Sequence, residues 1–239
     1  MNFKEQIQYL ISRNEVKDAS TNILEDLLNA ILGNPISAAK VLIAITESPF
    51  FVREQLFWSK MEAFLDGVYI NENDRGKLRA KLVTQGENND NPYRLIDCID
   101  RAETQQKIRY IINATRCLLT DFIDLPTFFR ICHAITHTLD EDLVFLRNHI
   151  KETDLPYSQF TQGLLTSGLM YQSVIDGNGE QKYSFTPIAQ IVDQYAISYD
   201  DVERYPNPAI NSNQRTVPQI SIPSTEWKSI PDKDIDQLF

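Results

Sequence analysis

Glycine is scarce in this sequence of 239 residues: there are 8, about half the usual share of roughly 7%. That shortage argues against collagen-like, turn-rich β and glycine-loop nucleotide-binding designs, and it favours helix. Catalytic signatures are missing too. There is no P-loop, no G-x-G-x-x-G, no G-x-S-x-G elbow and no C-x-x-C. Ser167, in GLLTSGLM, has no sequence neighbour that would activate a hydroxyl. Carboxylate pairs such as Asp97 and Asp100, or Asp200 and Asp201, are what any acidic surface supplies. Residues 1–10 carry Lys4 and Glu5 and no apolar h-region, so no secretory signal is expected. The most apolar stretch, 27–46, contains Asn29, Gly33, Asn34, Pro35, Ser37 and Lys40, which would break or burden a span of about 20 residues through lipid. No integral membrane segment is expected. Cysteine is limited to Cys98, Cys117 and Cys132, widely spaced among apolar neighbours. Such thiols behave as small hydrophobes in a reducing compartment, and the expected location is cytoplasmic.

What is present describes a folded globular chain, 42% hydrophobic and 23% charged, of a length that suits one large domain or two small ones. Helical periodicity dominates the first 150 residues. Phe3, Ile7, Leu10 and Ile11 form one apolar stripe, and Ile23, Leu24, Leu27, Leu28, Ile31 and Leu32 form a second. Ser20 or Thr21 can cap that second helix, and Gly33-Asn34-Pro35 can end it. Ser37 opens a further run that Ser48-Pro49 interrupts. Residues 50–65 form a helix crowded with Phe50, Phe51, Phe57, Trp58 and Phe64, closed by Gly67 and expected in the core or at a subunit contact. Shorter helical patterns follow at 71–85 and after Pro92, separated by an exposed loop at 86–91. Ile108, Ile111, Ile112, Thr115, Leu118 and Leu119 mark another amphipathic helix. A single long helix is then predicted, capped by Asp124 and Pro126 and carrying Phe128, Cys132, Ile135, Leu139, Leu143, Leu146 and Ile150.

The texture changes near Asp154. Residues 156–170 read as a helix. Alternating segments at 171–175 and 181–185 flank Asp176-Gly177-Asn178-Gly179, which spells a β-hairpin, and Thr186-Pro187 opens a last helix over 188–196. Residues 206–239 hold five of the eleven prolines and lose periodicity, as an extended tail does.

Charge is uneven within a net −10. Residues 152–206 hold eight acids and two bases, whereas 75–116 hold nine bases and five acids. Arg75, Lys77, Arg79 and Lys81 crowd one short segment, a patch for phosphate or an acidic partner, or else a solvated helix face. Overall acidity weighs against nucleic acid as the main partner. His133 and His137 stand one helical turn apart and could share a metal. On one straight helix, Asp140, Glu141 and Asp142 are poorly placed to complete the set: His133 to Glu141 is about 12 Å of rise. The glutamate of a zinc-protease HExxH is replaced by Ala134.

Residues 163–196 have the rhythm of a winged-helix half, yet 158–170 contain no Lys or Arg and the hairpin offers only Lys182. Such a unit is better suited to protein than to DNA. Leu164, Gly168, Leu169, Tyr183, Phe185, Thr186 and Pro187, with Ala189 where glycine is frequent, resemble the pattern of bacterial helical proteins of the abortive-infection alpha type. The resemblance covers about 35 residues. It implies a prokaryotic or phage setting and host–phage conflict, and it brings no catalytic residue. The ending WKSIPDKDIDQLF is similar in style to the acidic tips of bacterial single-stranded-DNA-binding proteins. In that reading Ile235, Leu238 and Phe239 would enter an apolar pocket while Asp234 and Asp236 meet basic groups.

The sequence thus predicts a mainly α protein: a helical bundle over 1–150, a helix–hairpin–helix (winged-helix-like) unit over 151–205, and the Pro-rich tail over 206–239. The expected function is a non-enzymatic interaction or regulatory protein that self-associates or binds a protein partner, with no catalytic residue and no cofactor. The alternatives are nucleic-acid association through 75–116 and a metal-dependent enzyme at His133 and His137.

Overall fold

In a computed structural model, residues 3–12, 23–47, 52–69, 72–83, 90–175 and 179–199 are described. The loop at 86–89, the caps Ser20 and Thr21, the aromatic pair Phe50 and Phe51, the hairpin tip 176–178 and the tail 206–239, with Ile235, Leu238, Phe239, Asp234 and Asp236, lie outside the described residues.

The chain is mainly helical. Helices α1 (Phe3–Ser12), α2 (Ile23–Ile31), α3 (Pro35–Glu47), α4 (Val52–Val68), α5 (Glu72–Leu82), α6 (Asn91–Arg101), α7 (Gln105–Leu119), α8 (Leu125–His137), α9 (Asp140–His149), α10 (Gln159–Thr166) and α11 (Pro187–Val192) account for most of it. A wider π turn, Asp193–Ile197, extends α11. Among the described residues no helix is long and apolar enough to cross a membrane.

Helix α7 organises the core. From Lys107 to Leu119 every residue except Arg109 and Arg116 is buried, because α4, α5, α8 and the π turn all pack around it. Buried Asn113 donates from Nδ2 to the Ala196 carbonyl at 2.9 Å and so satisfies the widened backbone of that turn. Helix α4 contributes Met61, Phe64 and Leu65 to the same core, while Phe57 and Trp58 meet edge to face at 5.1 Å on its half-buried side. Gly67 does not end α4, which continues to Val68. Its role is close approach: a Cβ there would stand 2.6 Å from Cδ1 of Ile112, and the Arg116 guanidinium donates twice to the Gly67 carbonyl, at 3.0 and 2.7 Å. A cation on that carbonyl suits the negative end of the helix dipole.

Gly33 ends α2 as expected, at φ +84°, with the Arg75 side chain packed where its Cβ would be. Asn34 and Pro35 belong to the next helix rather than to that terminator. The Asn34 Oδ1 accepts from the N–H groups of Ile36 and Ser37, and Pro35 supplies the first turn of α3. Asp124 caps α8 by accepting from Thr127 N–H at 2.9 Å, and its bonds to Thr127 hold its carboxyl below the usual range.

The single long helix predicted over 125–150 is two. Thr138 and Leu139 are extended, at ψ 138° and 150°, and they separate α8 from α9. The Thr138 hydroxyl donates to the Ala134 carbonyl at 2.7 Å and takes over a carbonyl freed at the end of α8. Asp140, Glu141 and Asp142 then sit in the first turn of α9, where negative charge is favoured.

The hairpin forms as predicted, with β2 (Met170–Ile175) antiparallel to β3 (Gln181–Phe185). A third strand, β1 (Leu155–Pro156), pairs Leu155 with Tyr183, so β3 lies in the middle of the order β1-β3-β2. The predicted helix over 156–170 is shortened at both ends by this sheet. Ser158 and Thr161 form a capping box that starts α10, and Thr186 accepts from Ala189 N–H to start α11. The β2–β3 ladder is irregular between Gln172 and Val174. Residues Met1–Val202 form one contact unit in which α10 packs on α9, and α11 on α8.

Candidate functional site

Two helices with matching periodicity build a groove. On α6, Pro92, Leu95 and Ile99 face inward, which turns Arg94 and Arg101 outward. On α8, Phe128, Ile131, Cys132 and Ile135 are buried, and the exposed face carries Arg130, His133 and His137. The α10–β2 turn and α11 close the far side with Leu169 and Ile188. The result is an open groove of about 700 Å³ with Leu125 and Phe129 in its floor and Arg94, Arg130 and His133 on its walls. The Arg94 guanidinium lies over the Phe129 ring, 3.8 Å from its centroid, a contact of about 0.5–2 kcal/mol. Arg101 is tied to Asp97 at 2.9 Å on the solvent side.

His133 and His137 are brought together, with ring centroids 4.0 Å apart. The His137 Nδ1 lies 2.9 Å from the His133 carbonyl oxygen, which places the proton on Nδ1 and leaves Nε2 as the basic nitrogen. Among the described residues no third His, Cys, Asp or Glu completes a metal-binding group. The break after His137 redirects Asp140–Asp142 into the next helix, so the straight-helix spacing no longer applies to them. Partial burial, then the charge of His137 and that of Arg101, lower the pKa of His133. At neutral pH the groove's positive charge therefore comes from Arg94 and Arg130. The Ser167 hydroxyl, on the groove wall, donates to the Leu164 carbonyl at 3.2 Å, a backbone bond that does not activate it.

The basic segment on α5 does not form one face. Arg75 packs its stem against Gly33, and Lys81 pairs with Asp121, while Lys77 and Arg79 are exposed. Steps of two residues rotate about 200° around a helix, so alternate residues diverge. Within 75–116, the residue that reaches the groove's cationic wall is Arg94. Neither Arg94, Arg130 nor Phe129 stands out in the sequence as a site residue; the outward spacing 130, 133, 137 is the available signal.

A second groove, about 800 Å³, runs between α9 and α10. Phe145 stacks on His149 at 4.1 Å and on Phe160 at 5.1 Å. Asp142 closes its base against Gly163, where a Cβ would stand 2.1 Å from Oδ2. Burial, and secondly Glu141, push the Asp142 carboxyl above its ordinary 3.8, so desolvation outweighs the helix dipole here. Its folded pKa exceeds its unfolded one, so the native state holds the proton longer. Stability therefore falls as pH rises from the ordinary carboxylate value through the raised one. Urea midpoints across that window should decline less steeply for Asp142→Asn than for the wild type. Parallel slopes would show that Asp142 does not carry the effect.

Searches against family models, curated proteins and solved structures return no match to this chain.

Proposed function

We propose that this chain is a helical interaction protein whose α6–α8 groove binds an acidic, amphipathic segment of a partner protein. The observation that carries the reading is the pairing of an apolar floor, Leu125, Phe129, Leu169 and Ile188, with the cationic walls Arg94 and Arg130. In a chain of net charge −10, a locally positive groove is set against the background, and charge complementarity selects an acidic occupant. Apolar side chains of such a segment would cover the Phe129 floor while its carboxylates meet the arginines. The α10–hairpin–α11 unit reads as winged-helix-like in element order, and its helix Gln159–Thr166, free of Lys and Arg, supports protein contact over DNA readout. A setting in host–phage conflict rests on the residue pattern at 164–189 alone.

The test is anisotropy with a labelled octapeptide alternating Asp with Leu and Phe, against its Lys-for-Asp counterpart. The acidic peptide should bind more tightly, and Arg94→Glu should weaken it by about tenfold or more, or about 1.4 kcal/mol. Added salt should weaken it too. Binding should strengthen as pH falls below the ordinary histidine range, where His133 takes up charge beside Arg94, Arg101, Arg130 and His137. Equal affinity for both peptides would sink the reading. Tight, steeply salt-dependent binding of a single-stranded oligonucleotide in preference to the acidic peptide would favour nucleic-acid association instead.

A further inference from the structure

The groove between α9 and α10 has a lining unlike that of the α6–α8 groove. Its volume of about 800 Å³ is in the range of small-molecule sites. Glu141, Asp142 and His149 are its titratable lining, and no Lys or Arg among the described residues joins them. One wall is a set of near-parallel rings, Phe160 and His149 lying within 12° and 16° of the Phe145 plane. The His149 Nδ1 lies 2.9 Å from the Phe145 carbonyl oxygen, so it carries the proton and holds the imidazole on that ring. Exposed Leu139 and Val144 add apolar surface to the lining.

Asp142 is the anomaly. It is 6% exposed, yet no hydrogen-bond donor among the described residues reaches its carboxylate. Buried carboxylates are ordinarily paired or hydrogen-bonded, because desolvation without a partner is costly. Only a glycine at 163 lets this side chain lie against α10, since its oxygens occupy the space of a Cβ there. The fold has already stripped water from the carboxylate, so a ligand that pairs with it does not meet that cost again.

We propose that the α9–α10 groove is a binding site for a small organic cation, a primary ammonium on an apolar stem. The ammonium has three N–H donors and supplies what the Asp142 oxygens lack. Exposed Glu141 adds a second negative charge to the approach. The positive end of the α9 dipole, about half a unit charge, is outweighed by the carboxylates of its first turn. The stem lies along the aromatic wall, whose ring faces carry the negative potential that attracts cations. A metal ion would leave that wall unused, because such ions take oxygen, nitrogen or sulfur ligands. An anion would meet two carboxylates.

The experiment titrates the full chain, isotope-labelled, with phenethylammonium and reads affinity and amide shifts by NMR. Phenethyl alcohol, hydrocinnamate and trimethylphenethylammonium share the ring and serve as comparisons. The ammonium should bind about tenfold or more tighter than the alcohol or the carboxylate, with the Gly163 amide among those that move. The quaternary salt keeps the charge but lacks N–H donors, and should bind about threefold or more weakly than the primary ammonium. Asp142→Asn should abolish the preference for ammonium over alcohol, whereas the exposed control Glu152→Gln should leave it intact. Phe160→Leu should weaken the ammonium about two- to fivefold. Equal affinity for the ammonium and either the alcohol or the quaternary salt overturns the proposal. So do shifts confined to residues outside α9 and α10, or a folded Asp142→Asn variant that keeps the preference. A capped Phe-Lys dipeptide binding more than about tenfold tighter than phenethylammonium would also overturn it, assigning the groove to a protein's basic side chain. The ligand series is read in the wild type, so the outcome does not depend on a variant folding.

Discussion

Phe128→Ala should cost about 3–5 kcal/mol of unfolding free energy. That is a large share of the roughly 5–15 kcal/mol that holds a domain of this kind together. Phe128 is 0% exposed on the inner face of α8 and meets Phe129 edge to face at 5.1 Å, so truncation loses transfer energy and leaves a cavity its neighbours cannot fill. Chemical denaturation read by circular dichroism measures the change. Phe122→Ala is the comparison: Phe122 is 42% exposed, and a shift within about 0.5 kcal/mol is expected there. Similar costs at both positions would mean that α8 is not packed as described. Phe128 also lies behind the groove floor, so this variant should lose stability, whereas Arg94→Glu should lose ligand and keep its fold.

The second large effect is an asymmetry between two partners. Lys107 lies in the core with a side chain 1% exposed, and its ammonium meets Glu103 at 3.1 Å, whose side chain is 65% exposed. Removing the carboxylate strands a buried cation, which for a fully buried pair costs about 3–5 kcal/mol. Water reaches Glu103 and can partly replace it, so about 1–3 kcal/mol is expected for Glu103→Ala. Lys107→Met removes the charge together with its need for a partner, and should be neutral or stabilising by up to about 4 kcal/mol. In the double variant Glu103→Ala should then cost nothing further. A double-mutant cycle on urea midpoints measures this. Additive losses would show that the ion pair is not what Lys107 depends on.

Much of the fold is legible in the sequence because its helices obey local rules. The α7 stripe, the Asp124 cap, the Thr186-Pro187 start and the β2–β3 hairpin all follow from residues close in sequence. The failures have particular causes. The stripe of Phe128, Cys132, Ile135, Leu139 and Leu143 keeps helical spacing across the break, while Leu139 itself is 59% exposed. The better signal is the Asp140-Glu141-Asp142 cluster, which marks a helix start rather than a helix middle. Strand β1 is two residues long and exists only because β3 is there to pair with it, so no pattern of its own could announce it. Pro35 reads as an ending and is a beginning, since the same residue can follow one helix and open another. Gly67 is explained by Ile112, 45 residues away, which spacing on α4 could not reveal. The groove is illegible for a similar reason. Arg94, Phe129 and Ile188 come from three segments, and only the packing of α6, α8 and α11 makes them neighbours.

The irregular ladder of the small sheet bears on how the protein behaves when crowded. An outer strand with an unbroken row of free amides is a template on which another chain can add a strand, and such additions propagate into filaments. Both outer strands here make poor templates. Strand β1 is too short to hold an incoming strand in register, and the slip between Gln172 and Val174 interrupts the spacing that a second β2 would have to match. The sheet can brace α10 and α11 without offering its own edge for polymer growth.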